Sequence, residues 1–227
     1  MFQLSILPEP QRALWPILAQ VPKRFVLYGG TAIALRLNHR ESVDFDFFTS
    51  DDFNSDQLMR EMDFLAGARR IQESPNTLTV LKAVEGFDVP IQLSFFGGLR
   101  LGQIELPDMA DNGIFVASML DLFGMKCATV SQRAEAKDYL DIDTIINNTD
   151  LTLEHGIVAA SAIYGQQYNA ILTLKALSYF KDGNVMSLPN KIKQTLSDKV
   201  KRCNLDNLPN IRSMTIIGHT ENGRALR

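Results

Sequence analysis

The stretch FVLYGGTAIALRLNHRESVDFDFF, residues 25–48, decides how this 227-residue chain is read. Phe25-Val26-Leu27-Tyr28 is a short apolar run that stops at Gly29-Gly30, the pattern of a buried strand ending in a turn. Thr31 to Asn38 then reads as a helix. Val43 to Phe48 alternates strictly, and a period of two places Asp44 and Asp46 on one strand face with Phe45 and Phe47 turned into a core. Two adjacent carboxylates raise each other's cost of ionisation. A hard divalent cation held between them removes that cost, and Mg²⁺ suits oxygen donors of this kind. Gly29 and Gly30 lie between a strand and a helix start, where backbone N–H groups can meet phosphate and glycine permits close approach. Thr31 adds a hydroxyl. A phosphate cradle beside a metal-binding pair supplies the parts for phosphoryl or nucleotidyl transfer. Asp-x-Asp or Gly-Gly alone is common on solvated strands and in turns; their combination in this order is much less common by chance.

The rest of the chain extends this pattern. Pro8 and Pro10 precede an expected short helix, QRALWPILAQVP, anchored by Trp15. Ser55 or Asp56 is the expected cap of a helix reaching about Leu65. Thr77 to Val84 and Val89 to Phe96 read as strands around a hairpin turn at Glu85-Gly86-Phe87-Asp88. From Phe115 to about Ile146 the spacing is helical, with a break near Ser131. Further helices are expected at about Thr152–Tyr164, Tyr168–Phe180 and Lys191–Arg202. Beyond Asn204 the pattern leaves two alternatives, disorder or an edge strand at Ser213–Gly218. Strands early and helices late predict an α+β fold. The expected division is a core over residues 1–148 and a helical C-terminal region with a flexible tail over 149–227.

At these residues the chain resembles the polymerase-β type nucleotidyltransferase superfamily, whose signature is a Gly-Gly or Gly-Ser after a strand followed by an Asp-apolar-Asp strand. GGTAIALRLNHRESVDFDFF more narrowly resembles the AbiEii/AbiGii toxin-like nucleotidyltransferases of bacterial abortive-infection and toxin–antitoxin systems. The resemblance implies a mixed β-sheet flanked by helices. It also implies Mg²⁺-dependent transfer of a nucleoside monophosphate from an NTP to a hydroxyl. Asp44 and Asp46 would then be catalytic and hold the metal. Gly29, Gly30, Thr31, Arg40 and Ser42 would bind the nucleotide.

A second match lies in LDLFGMKCATVSQRAEAKDYLDI. The family carries a lysine on one helix, then an arginine and Lys-Asp-x-x-Asp; the matching residues are Lys126, Arg133, Lys137, Asp138 and Asp141. Arg133, Lys137 and Asp141 are spaced by four, so the spacing predicts one helical face, which on an ordinary helix would be a salt-bridged surface. By resemblance Lys137 and Asp138 are active-site residues, Lys126 and Arg133 bind the nucleotide, and Asp141 orients Lys137. One departure stands out. Superfamily members often carry a third carboxylate on a later strand, yet Val89–Phe95 offers only Gln92 and Ser94 at its polar positions, with Asp88 just before it. Loss of catalysis in a nucleotide-binding module is therefore an alternative, as is a small-molecule acceptor of the antibiotic-modifying kind.

Composition narrows the partners. The chain has 23 Lys+Arg, 26 Asp+Glu and a net charge of −3, which excludes a general nucleic-acid coat. The charge is uneven: residues 1–150 carry 13 basic and 21 acidic residues, residues 151–227 carry 10 and 5. A basic C-terminal part suits an RNA acceptor, tRNA included, or an acidic antitoxin surface. A protein hydroxyl is the other macromolecular acceptor implied by the resemblance. The 2 cysteines, Cys127 and Cys203, make neither a zinc motif nor a disulfide framework. The N-terminal residues lack a signal-peptide pattern, and no apolar run approaches a membrane span. The expectation is a cytoplasmic protein without a membrane partner.

Overall fold

A computed structural model describes residues 2–219. They form two compact units, one built from residues up to Leu101, Leu106–Ser118 and those from Thr215 on, the other from Gly102–Glu105 and Met119–Met214.

The first unit contains α1 (Glu9–Leu14), β1 (Val26–Tyr28), α2 (Gly29–Leu37), β2 (Asp44–Phe48), α3 (Ser55–Glu61), β3 (Arg69–Ser74), β4 (Thr77–Lys82) and β5 (Ile91–Phe96). After β6 (Gly102–Gln103), which belongs to the second unit, come β7 (Asp108–Met109), β8 (Phe115–Val116) and β9 (Thr215–Ile216). Seven strands make one mixed sheet in the order β3-β4-β5-β2-β1-β8-β7. β1 runs antiparallel to β2 and parallel to β8, while β2 runs parallel to β5. The α+β expectation and the mixed sheet are both met.

The alternation in β2 does what period two requires: Phe45 and Phe47 are buried, while Asp44, Asp46 and Phe48 are partly exposed. The inward rings build an aromatic core. Phe47 stacks on Phe95 at 5.3 Å, Phe25 meets Phe95 edge-on at 5.4 Å, and Trp15 lies 6.4 Å from Phe45. Such pairs contribute about 0.5–1.5 kcal/mol each beyond the area they bury. Trp15 keeps its polar edge satisfied by donating to Asp111 Oδ1 at 2.9 Å. Arg36 ties α2 to the far strands, donating from Nε to Ala117 O at 2.9 Å and from Nη2 to Asp108 Oδ2 at 2.7 Å.

Several boundaries differ from the sequence expectation. The N-terminal helix yields to a 3₁₀ turn at Trp15–Gln20, where Pro16 cannot donate to a continuing α-ladder. The cap of α3 is Asn54, whose side chain accepts from Gln57 N at 3.0 Å, rather than Ser55 or Asp56. Phe115 and Val116 form β8 instead of opening a helix, because they pair with β1. β3 carries no alternating signal because every residue of RRIQES is exposed on an edge strand.

The second unit is helical: α4 (Met119–Val130), α5 (Ala136–Asn148), α6 (Leu153–Tyr164), α7 (Ala170–Ser178) and α8 (Asn190–Arg202). α4 and α5, grouped with the strands in a division at residue 148, pack within this helical unit. α4 and α6 cross through a glycine notch. A methyl on Gly124 would come 2.8 Å from the Ala159 carbonyl carbon, and one on Gly156 would come 2.7 Å from Cys127 Sγ. Glycine at these two positions is what allows the close crossing. Cys127 is fully buried there, as a small hydrophobe would be. Asp121 accepts from Ile104 N and Glu105 N at 2.8 and 3.0 Å, which fixes the segment around β6 onto α4. Among the described residues no helix is long and apolar enough to cross a membrane.

Candidate active site

In the first unit, β1 delivers the chain to Gly29, which opens α2 with φ +74°. This left-handed backbone is costly for any residue with a Cβ. Space forbids one as well, since a methyl on Gly29 would lie 2.6 Å from Asp46 Oδ2. The strand pairing explains the closeness: Tyr28, the residue before the turn, is opposite Asp46. The Asp46 carboxylate therefore sits against the amino end of α2, where the helix dipole favours negative charge. At Gly30 a methyl would lie 2.5 Å from Arg40 Nη2 and 3.1 Å from Ser42 Oγ. Arg40 and Ser42 are thus brought to the glycine turn from the loop before β2.

Thr31 is buried, and its hydroxyl is bonded to Ser42 Oγ at 2.9 Å and donates to Asp44 O. It ties the glycine helix to the start of the acidic strand. Asp44 and Asp46 share their strand face with Gln92 and Ser94, their register partners on β5. On that face β5 offers neutral side chains opposite the two acids, and Asp88 precedes β5 without joining it.

In the second unit, Lys126 is the centre of a buried charge cluster. Its Nζ lies 2.6 Å from Asp138 Oδ1 and 2.7 Å from Asp141 Oδ2, and both carboxylates are fully enclosed. Asp138 also accepts from Arg133 Nε at 2.8 Å and Nη2 at 3.2 Å. Burial by itself would raise the Asp138 pKa; the Arg133 hydrogen bond and the Lys126 charge outweigh it and hold the carboxyl below its ordinary value. Arg133 lies in the loop before α5, so it does not share a helical face with Lys137 and Asp141. Asp141 bonds to Lys126, while Lys137 Nζ lies 3.0 Å from Glu135 Oε2. Glu135 also stands 3.4 Å from Arg133 Nη1, a link that sequence reading missed. The signal was present, because Glu135 lies two residues from each cation.

A family model described as nucleotidyl transferase AbiEii toxin, type IV toxin–antitoxin system, matches residues 12–209. The chain belongs to the AbiEii nucleotidyltransferase toxin family. This AbiEii-family chain is 34% identical over 164 residues to an uncharacterized protein of Aquifex aeolicus, covering 70% of this chain and 74% of that one. Its fold is similar to MenT4, nucleotidyltransferase toxin Rv2826c from Mycobacterium tuberculosis H37Rv. The TM-score is 0.56 at 15% identity, over 86% of this chain and 83% of that one. It is also similar to JHP933 from Helicobacter pylori, with a TM-score of 0.52 at 18% identity, over 85% and 88% of the two chains. The AbiEii-family member is thus a toxin-like nucleotidyltransferase.

The first-unit residues suit the metal that the family implies. Mg²⁺ is commonly held by one or two carboxylates with water and substrate phosphates completing its shell. Asp44 and Asp46 offer that donor set on one strand face, and the absent Cβ of Gly29 leaves the Asp46 carboxylate room beside the helix start.

Proposed function

We propose that this protein transfers a nucleoside monophosphate from an NTP to a hydroxyl on a macromolecule, an RNA end or a protein side chain, with Mg²⁺ bound by Asp44 and Asp46. The observation that carries the reading is the Gly29–Asp46 juxtaposition, a positive-φ glycine at a helix start packed against one carboxylate of the paired strand. Bound Mg²⁺ would neutralise the triphosphate and stabilise the charge that develops on it. The N–H groups of Gly29 and Gly30 are assigned to the terminal phosphates, and Arg40 with Ser42 supplies further donors beside them. Thr31 acts by holding Ser42 and the Asp44 backbone in place. The acceptor oxygen bonds to the α-phosphorus as the bond to pyrophosphate breaks.

In the helical unit the family pattern assigns Lys137 and Asp138 to catalysis and Lys126 and Arg133 to the nucleotide. The ion pairs refine those assignments. Asp138 enters the reaction as an anion, and Lys126 serves by fixing Asp138 and Asp141. An antitoxin is the expected protein partner, and the cytoplasm the expected compartment.

The neutral Gln92 and Ser94 favour one other reading, nucleotide binding without transfer. Purified protein incubated with Mg²⁺, α-labelled NTPs, cellular RNA and cellular protein separates the two. Transfer predicts label on one acceptor class, lost in Asp44→Asn and Asp46→Asn; unchanged labelling in both variants overturns the proposal. Saturable NTP binding without pyrophosphate release supports the binding module.

A further inference from the structure

The helical unit carries a groove that shares only Arg133 with the residues assigned to the reaction. It has a volume of about 320 Å³ and lies between the residues linking α4 to α5 and the outer side of α7. That volume is at the small end of ligand sites, which run to about 300–1,000 Å³. Leu172, Lys175 and Tyr179 line it from α7 and its C-terminal cap, and Arg133 and Gln132 line it from the linking loop.

These side chains are unusual for a solvated helix face. Leu172, Lys175 and Tyr179 recur at helical spacing, and Leu172 and Tyr179 are 47% and 50% exposed. An exposed tyrosine ring and a leucine on one helix face offer apolar surface of the kind on which a base stacks. Lys175 has no ion-pair partner among the described residues. Arg133 is already oriented by its two bonds to Asp138, so little side-chain entropy is lost when it meets an anion. Asp182 and Gln132, both in the groove lining, supply an acceptor and an amide for polar ring edges.

We infer that this groove binds one nucleoside monophosphate unit, its base against Tyr179 and Leu172 and its phosphate between Lys175 and Arg133. The choice of a nucleotide over another aromatic anion rests on the nucleotidyltransferase reading. The unit has two sources, a free nucleotide or one nucleotide of a single-stranded RNA.

The test is a calorimetric titration of the full chain with the four 5′-nucleoside monophosphates in buffer containing chelator, so that metal-dependent binding at Asp44 and Asp46 does not contribute. Nucleosides and orthophosphate serve as reduced probes. The expected result is saturable binding of one monophosphate per chain, tighter than either reduced probe. Tyr179→Ala and Lys175→Glu, both exposed and checked by thermal unfolding, each weaken it roughly fivefold or more. Lys201→Glu, an exposed change on α8 outside the groove, leaves the affinity unchanged. A short unstructured oligoribonucleotide that displaces the monophosphate identifies RNA as the source; failure to displace it identifies the free nucleotide. Absence of saturable binding, wild-type affinity in either groove variant, or an equal loss in Lys201→Glu overturns the inference. Parallel transfer assays with Mg²⁺ and NTP keep the two conclusions apart. Transfer without monophosphate binding removes the groove alone, and monophosphate binding without transfer removes the proposed reaction alone.

Discussion

The Lys126 ammonium lies 2.6 Å from Asp138 Oδ1, and the two side chains are only 9% and 0% exposed. With Asp141 at 2.7 Å, this lysine bridges two enclosed carboxylates. Replacing it by methionine leaves both without their shared cation. Breaking a buried pair in this way costs about 3–5 kcal/mol. Lys126→Met should therefore lower the urea midpoint of the helical unit far more than Lys137→Met, whose partner Glu135 is partly exposed.

The same cluster makes stability depend on acid. Asp138 has a folded-state pKa below the ordinary 3.8, so the unfolded chain takes up its proton first as pH falls. Its contribution is fully present above the unfolded value and is lost as pH drops through the folded one. Thermal scans should show the wild type losing stability below about pH 4. Asp138→Asn should begin less stable and show a shallower slope in that window.

Gly29→Ala adds a methyl 2.6 Å from Asp46 Oδ2 at a residue with φ +74°. The backbone cost alone is about 1–3 kcal/mol. The carboxylate must also move, so transfer activity should fall even under conditions where circular dichroism shows the variant folded. Gly30→Ala should be milder, because its methyl meets the flexible end of Arg40.

Gly124→Ala tests the helix crossing. Its methyl would press on the Ala159 and Ala160 backbone at 2.8 Å, where nothing flexible can give way. Overpacking of this kind costs about 1–3 kcal/mol. A lowered unfolding midpoint is the expected measurement.

Chelation should abolish transfer, and added Mg²⁺ should restore it in the wild type. Asp44→Asn and Asp46→Asn should each reduce the rate by about 100-fold or more, as loss of a group that stabilises developing charge does. Rates measured across a Mg²⁺ series will show this directly.

Residues 25–48 were legible because two periodicities and a glycine pair coincide there: the strands, α2 and the shared face of Asp44 and Asp46 follow from local pattern. The mixed sheet was legible only through family likeness, since pairing of β1 with β8 joins residues about ninety positions apart. β3 was illegible because an edge strand exposed throughout has no reason to alternate. Spacing also misled at Arg133. Four residues equal a helical turn only inside a helix, and α5 begins at Ala136. The Lys126–Asp141 pair lay outside local reasoning altogether, because it depends on how α4 and α5 pack.

Cys127 gives the glycine notch an experimental use. Its sulfur is enclosed at the α4–α6 crossing, where burial pushes the thiol pKa far above its usual range. Cys203 is partly accessible, with its thiol pushed up to about 11 by burial and the nearby Glu154 charge. Thiolate is the reactive form, so an alkylating reagent must modify Cys203 before Cys127. Once Cys203 is blocked, the slow arrival of a second adduct becomes a clock for opening of the helical unit, read by mass without any engineered label.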